Sequence, residues 1–237
     1  MPGKWSIKTP WHRRPADVSR SVWGRIKAEW RTKLLLLVVL WLAFGVPYLM
    51  VQRFPIRTPI RFASTPLDTW IGFHPAWVLV YQSAYLMIPI APFLAVRRAD
   101  LWIYTRGFLL MTALAIGIFL LFPVEGPRPA QVPTDGVFGM LMTYDRPLNA
   151  FPSLHVGLVV HSLAFGWALT RASRFGVFAQ AALGLGLAWA VLIAYSTLAT
   201  KQHYLIDLPA GAILGWGSQW WSLRLARVVP VVASGTF

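Results

Sequence analysis

Ser196-Thr197-Leu198-Ala199-Thr200-Lys201-Gln202-His203-Tyr204-Leu205-Ile206-Asp207 is a polar stretch set between two long apolar runs, about 175–195 and 204–223. Each run approaches the ~20 residues that a helix needs to cross a bilayer. The stretch therefore reads as a turn at a membrane surface. Working outward, four more apolar runs suit a spanning helix: Leu34–Val51, Trp77–Val96, 101–122, and one from Ser153 to Thr170. Hydrophobic residues make up 57% of the chain and charged residues 13%. An average soluble domain has ~25% charged residues, so a soluble fold is excluded. The expected fold is all-α: a polytopic membrane protein of six transmembrane helices.

Three segments follow: 1–33, a basic cytoplasmic N-terminal segment; 34–223, a six-helix membrane catalytic domain; and 224–237, a short C-terminal tail. In the first, Val18, Val22, Ile26 and Trp30 recur every four residues among nine Lys and Arg, the pattern of an amphipathic helix lying on a membrane face. The N-terminus lacks signal-peptide form, because its first apolar run starts only at Leu34. Thr65-Pro66-Leu67-Asp68 has the signature of a helix start. Pro89 and Pro92 should bend the second span. Gly176, Gly184 and Gly186 in the fifth span suit close helix contact.

Six spans put both termini on one side. Sixteen of the 22 Lys and Arg fall on that side and six on the other. The positive-inside rule then places both termini in the cytoplasm of a plasma (inner) membrane protein. The net charge of +14 fits anionic lipid headgroups better than nucleic acid. The absence of cysteine removes disulfides, thiolate metal sites and a cysteine nucleophile together. The 123–150 connection and 196–203 share the outer face.

Three sparse polar blocks meet there. His203 and Asp207 are four apart, and a helix would put them on one face. A carboxylate there fixes the histidine tautomer and makes the other ring nitrogen a better nucleophile or base; taken alone, the pair reads equally well as a structural helix start. Pro152-Ser153-Leu154-His155 opens the fourth span, where a capping serine and free N–H groups make an anion site. Alone, His155 fits an interface histidine. Arg128, in Gly126-Pro127-Arg128-Pro129, offers a guanidinium fork for phosphate oxygens, or for a lipid headgroup in general.

These blocks resemble the three signature motifs of the type-2 phosphatidic acid phosphatase superfamily: Arg128-Pro129 the end of the first, Pro152, Ser153 and His155 the second, Ser196, His203 and Asp207 the third. The resemblance covers residues 34–223. Where the superfamily pattern has lysine, glycine and arginine, this chain has Leu121, Leu154 and Thr197. With those departures it is most similar to the inositol phosphorylceramide synthase branch, which moves a phosphoinositol headgroup between lipids.

The resemblance implies catalytic roles for His203 as nucleophile, Asp207 as its orienting carboxylate and His155 as general acid and base. It implies phosphate binding by Arg128, Ser153, Ser196 and Lys201. It also implies a phospholipid or lipid phosphate substrate, a lipid acceptor, and no metal or other cofactor. The alternatives are a lipid phosphate or polyprenyl diphosphate phosphatase, a metal-dependent intramembrane hydrolase with His155, His203, Asp207 and Glu125 as ligands, and a transporter or scaffold. A transporter should carry its polar features at the midplane, whereas here they gather at one mouth.

Overall fold

The computed structural model describes residues 21–173 and 177–228, and among these the chain is all-helical, with no strand. The expected amphipathic segment falls largely on residues 1–20, and Val18 and Gly176 likewise lie outside the described residues. Of that segment, 21–33 are described: α1 (Val22–Lys27) is capped by the Ser21 hydroxyl, which accepts from Gly24 N at 3.1 Å, and the helix stops before Glu29 at φ +53°, so Trp30 already belongs to the next helix. Then follow α2 (Trp30–Arg53), α3 (Pro66–Trp70), a 3₁₀ turn (Pro75–Trp77) leading into α4 (Val78–Gln82), α5 (Ala84–Met87), α6 (Ile90–Phe93), α7 (Arg98–Leu121), α8 (Gly136–Tyr144), α9 (Leu154–Ser173), α10 (Val177–Ala199) and α11 (Asp207–Val228).

Four stretches are long and apolar enough to cross a membrane: Trp30–Arg53, Pro75–Phe93, Arg98–Leu121 and Phe178–Ala199. The second is broken into α4, α5 and α6 rather than bent: Pro89 falls at the α5–α6 break and Pro92 inside α6, where they remove two amide donors within four residues, while the α4–α5 break falls at Ser83. Helices α9 and α11, expected as spans from sequence, have 20 and 22 residues but fall outside that apolar set. They carry His155, His161, Ser162, Asp207, Ser218, Gln219 and Ser222, all buried. The polar groups are tolerated because α9 packs against α11, α10, α7 and α6, so its side chains face protein rather than lipid. Conversely, Leu35, Phe178, Leu185 and Ile213 stand exposed on the outside of the bundle.

Glycine sets the closest contact. A Cβ at Gly211 would lie 2.1 Å from the Ser153 carbonyl oxygen, and one at Gly215 2.2 Å from that of Gly157. The two α11 glycines, four apart, let its backbone touch α9, the small-residue contact known between membrane helices. The fifth-span glycines do less: Gly184 meets nothing within 4 Å, and Gly186 meets only the Leu163 and Met87 side chains. At the same end of the bundle, the 123–150 connection is stitched down. Backbone bridges join Ile60 to Val124 and Val124 to Asn149, and α8 packs on α4 through Phe138 and Leu141.

Gly215→Ala should therefore lower the detergent-solubilised melting temperature by the equivalent of about 1–3 kcal/mol, the cost of overpacking. Gly217, which meets nothing within 4 Å, should accept alanine without loss. Equal melting points for the two variants would show that the α9–α11 approach is not tight.

Candidate active site

The end of α10 positions His203. Gln202 N donates to the Thr197 carbonyl at 3.0 Å and Lys201 N to the Leu198 carbonyl at 3.1 Å, with Lys201 at φ +54°. This is a Schellman end, with lysine where glycine is usual. The chain reverses there, and His203 N also reaches the Thr197 carbonyl at 3.3 Å. His203 is thus held by a turn, not by a helix; α11 begins only at Asp207. The expected one-face pairing is replaced by a turn whose Tyr204 N donates to Asp207 Oδ2 at 2.7 Å. Asp207 Oδ2 still lies 3.3 Å from His203 Nδ1.

The nearer partner of His203 is one the sequence did not suggest. Its Nδ1 lies 2.8 Å from the Ala150 carbonyl oxygen. A carbonyl only accepts, so Nδ1 carries the proton, and the lone pair of the neutral ring sits on Nε2. Nε2 has no hydrogen-bond partner among the described residues.

Ser153 N donates to the Asp207 carbonyl at 3.0 Å, so the starts of α9 and α11 are joined by a backbone bond. The Ser153 hydroxyl accepts from Val156 N at 3.4 Å as a cap. No described residue accepts from Leu154 N or His155 N, which leaves the helix-start donors that suit an anion. His155 lies in this first turn. Its ring stacks on Tyr81 at 3.9 Å between centroids, and its Nε2 lies 3.0 Å from the Tyr81 carbonyl oxygen. Nε2 is therefore the donor, and the lone pair of the neutral ring sits on Nδ1.

Arg128 arrives on the 123–150 connection but is not a free fork. Its Nη2 donates to Asp145 Oδ2 at 2.8 Å, its Nη1 to the Asp145 carbonyl at 2.6 Å and its Nε to Gln202 Oε1 at 3.0 Å. Nη2 is also hydrogen-bonded to Gln202 Oε1. Asp145 Oδ1 accepts from the Tyr48 hydroxyl at 2.9 Å. Burial pushes the Asp145 carboxyl up from the usual carboxylate range, and Arg128 and Tyr48 pull it back.

Lys201 donates from Nζ to the Asp68 and Ile71 carbonyls, and burial pushes its ammonium down. Ser196 is fully buried, with its hydroxyl bonded 2.6 Å back to the Ile193 carbonyl. Neither side chain is free in this arrangement. Thr197 is likewise fully buried, and Leu121 is exposed on the outer surface. Glu125 pairs with Arg61 at 2.5 Å, which holds its carboxyl below the usual range. Among the described residues, no three His, Asp or Glu side chains are grouped to hold a metal ion.

Asp68 was readable as a helix-start residue but not as part of the site. It completes a capping box with Thr65, and its Oδ1 accepts from Leu205 N at 2.7 Å. The carboxylate therefore braces the turn that carries His203. Asp145 and Gln202 were equally missed, since nothing in local spacing pairs either with Arg128.

A family model described as the PAP2 superfamily matches residues 60–221. That range holds all three polar blocks. No curated protein and no solved structure matches the chain.

Asp68→Ala should cost about 1–3 kcal/mol, because Thr65 N, the Thr65 hydroxyl and Leu205 N lose their acceptor, and should lower turnover by loosening the 203–205 turn. Thr65→Ala, which removes only the cap, should cost about 1 kcal/mol and leave turnover near wild type. Melting curves and initial rates on both variants check this; equal losses of turnover would remove the bracing role of Asp68.

Proposed function

This chain belongs to the PAP2 superfamily, and from that premise we propose that it is an integral-membrane enzyme that cleaves a lipid phosphate ester and transfers the phosphoryl group through His203. Membership implies phosphatase- or phosphotransferase-type chemistry on lipid phosphates. The transfer, the histidine route and the phosphoinositol-type headgroup are our reading. The observation that carries it is the His203 tautomer: Nδ1–H is engaged by the Ala150 carbonyl and Asp207, and the Nε2 lone pair is unengaged.

In this reading Nε2 attacks phosphorus and forms a P–N bond as the P–O bond to the leaving group breaks. Protonated His155 gives its Nδ1 proton to the leaving oxygen. The acceptor hydroxyl, or water, then loses its proton to His155 Nδ1 while its oxygen attacks phosphorus, and the P–N bond breaks. Asp207 stabilises the positive charge on His203 during the intermediate. The N–H groups of Leu154 and His155, with Arg128, take the non-bridging oxygens. A member of the phosphoinositol-transferring branch would act on a phosphodiester lipid with ceramide or diacylglycerol as acceptor.

The same reading counts α9 and α11 with the four apolar stretches as six spans. Their polar residues face protein, and the bias of Lys and Arg toward the terminal side supports cytoplasmic termini and an outer-face site.

His203→Ala should abolish turnover of a labelled phospholipid and any acid-labile phosphoenzyme, a loss of about 10³-fold or more. His155→Ala should cost about 10²–10⁴-fold. A panel of phosphatidylinositol, phosphatidic acid and polyprenyl phosphates, with and without ceramide or diacylglycerol, reads out donor and acceptor; full activity in folded His203→Ala would end the proposal. Topology has its own check. Asp135→Cys in this cysteine-free chain should react with an impermeant maleimide in intact cells, and reaction only after lysis would place the site on the inner face.

A further inference from the structure

Arg128 has five N–H donors, and four of the five contacts they can make are taken by Asp145 and Gln202. The guanidinium and carboxylate are both largely buried, at 13% and 7% exposure, so water screens their mutual field weakly. Gln202 precedes His203 in the chain and holds Arg128 by its side-chain oxygen. The pair therefore stands beside the nucleophile. The other cation of the turn, Lys201, is spent on the Asp68 and Ile71 carbonyls. Thus one cation near His203 is neutralised by a carboxylate and the other is turned toward α3.

That charge balance discriminates between substrates. A phosphomonoester carries about 1.5–2 negative charges at neutral pH, whereas a phosphodiester carries one. Each charge is repelled by the same fixed carboxylate, so the monoester is disfavoured more. Leaving groups and acyl chains do not alter this difference, because it depends on the phosphate charge alone.

We propose that Asp145 determines specificity: by holding and neutralising Arg128, its carboxylate makes the phosphate site beside His203 favour singly charged phosphodiesters over doubly charged phosphomonoesters. This rests on the assignment of His203 and Arg128 to the phosphate site. Gln202 orients Arg128 from one side, and Tyr48 fixes Asp145 by its other oxygen, so the carboxylate stays in place beside the guanidinium.

The test uses the full chain in mixed micelles and compares kcat/KM for phosphatidylinositol and phosphatidic acid in wild type, Asp145→Asn and Gln202→Glu. Asp145→Asn keeps the shape and removes the charge. It should raise the phosphatidic acid to phosphatidylinositol ratio by about tenfold or more. Gln202→Glu adds a second anion to Arg128 and should move the ratio the other way. Binding of inorganic phosphate, read by calorimetry, should tighten by about tenfold in Asp145→Asn and weaken in Gln202→Glu. An unchanged ratio and unchanged phosphate binding in folded Asp145→Asn overturn the proposal; if that variant does not fold, Gln202→Glu with an unmoved ratio and unmoved phosphate affinity overturns it. A wild type that cleaves neither lipid refutes the reaction assigned above, while the phosphate titrations still decide the role of Asp145.

Discussion

The backbone contact between α9 and α11 is the constraint on which the site depends. Ser153 lies at one end of it, with its N–H on the Asp207 carbonyl at 3.0 Å and its own carbonyl against Gly211. The first turns of both helices are therefore fixed to each other by main chain rather than by flexible side chains. His155, two residues along α9, inherits its position from that contact. His203 inherits its own from the turn tied to Asp207 and Ala150. Catalytic groups tolerate misplacement of only about 1 Å before rates fall by about 10²-fold, and a backbone clamp supplies that precision more reliably than packed side chains.

The same close approach explains why α9 and α11 are the polar helices of the bundle. Below the site, His161 and Gln219 are fully buried, and the Gln219 amide has no hydrogen-bond partner among the described residues. Gly107 on α7 makes the room: a Cβ there would fall 2.7 Å from His161 Cε1 and 3.0 Å from Gln219 Oε1. Such groups would be prohibitively costly in lipid. Enclosed by α7, α9 and α11 they sit where buried water customarily satisfies clustered polar atoms. A cavity of about 450 Å³ lies elsewhere: it is lined mostly by apolar residues of α5, α6, α9 and α10, with Arg25, Ser162 and Thr170 among them, and does not include the proposed catalytic residues.

Much of this was legible in sequence where the signal is local. Apolar length revealed the long helices to within a few residues. Thr65-Pro66-Leu67-Asp68 gave a capping box because its two hydrogen bonds span three residues. Of the motif residues, Ser153 meets Asp207 through a backbone bond and His203 lies 3.3 Å from the Asp207 carboxylate. What was illegible is long-range. Asp145 reaches Arg128 across 17 residues, Asp68 reaches Leu205 across 137, and Ala150 reaches His203 across 53. No periodicity encodes such pairs. The expectation of a helical His203–Asp207 face failed for a physical reason too: the Schellman reversal at Lys201 spends residues 201–206 on turns before α11 can start.

Lys201 is the residue where these strands of the argument meet. A left-handed backbone costs an ordinary side chain about 1–2 kcal/mol, and glycine would avoid that cost at this position. Lysine is accommodated because its ammonium ties the end of α10 to the end of α3, through the Asp68 and Ile71 carbonyls. Asp68 in turn accepts from Leu205 N. The two bonds bracket His203 from both sides of the turn, one through a side-chain cation and one through a carboxylate. A glycine would fit the backbone better and leave the turn bound to α3 on one side alone. The lysine is thus better understood as a strut for the turn that carries His203 than as a free cation, which leaves Arg128, bonded to Asp145 and Gln202, as the other cation beside that turn.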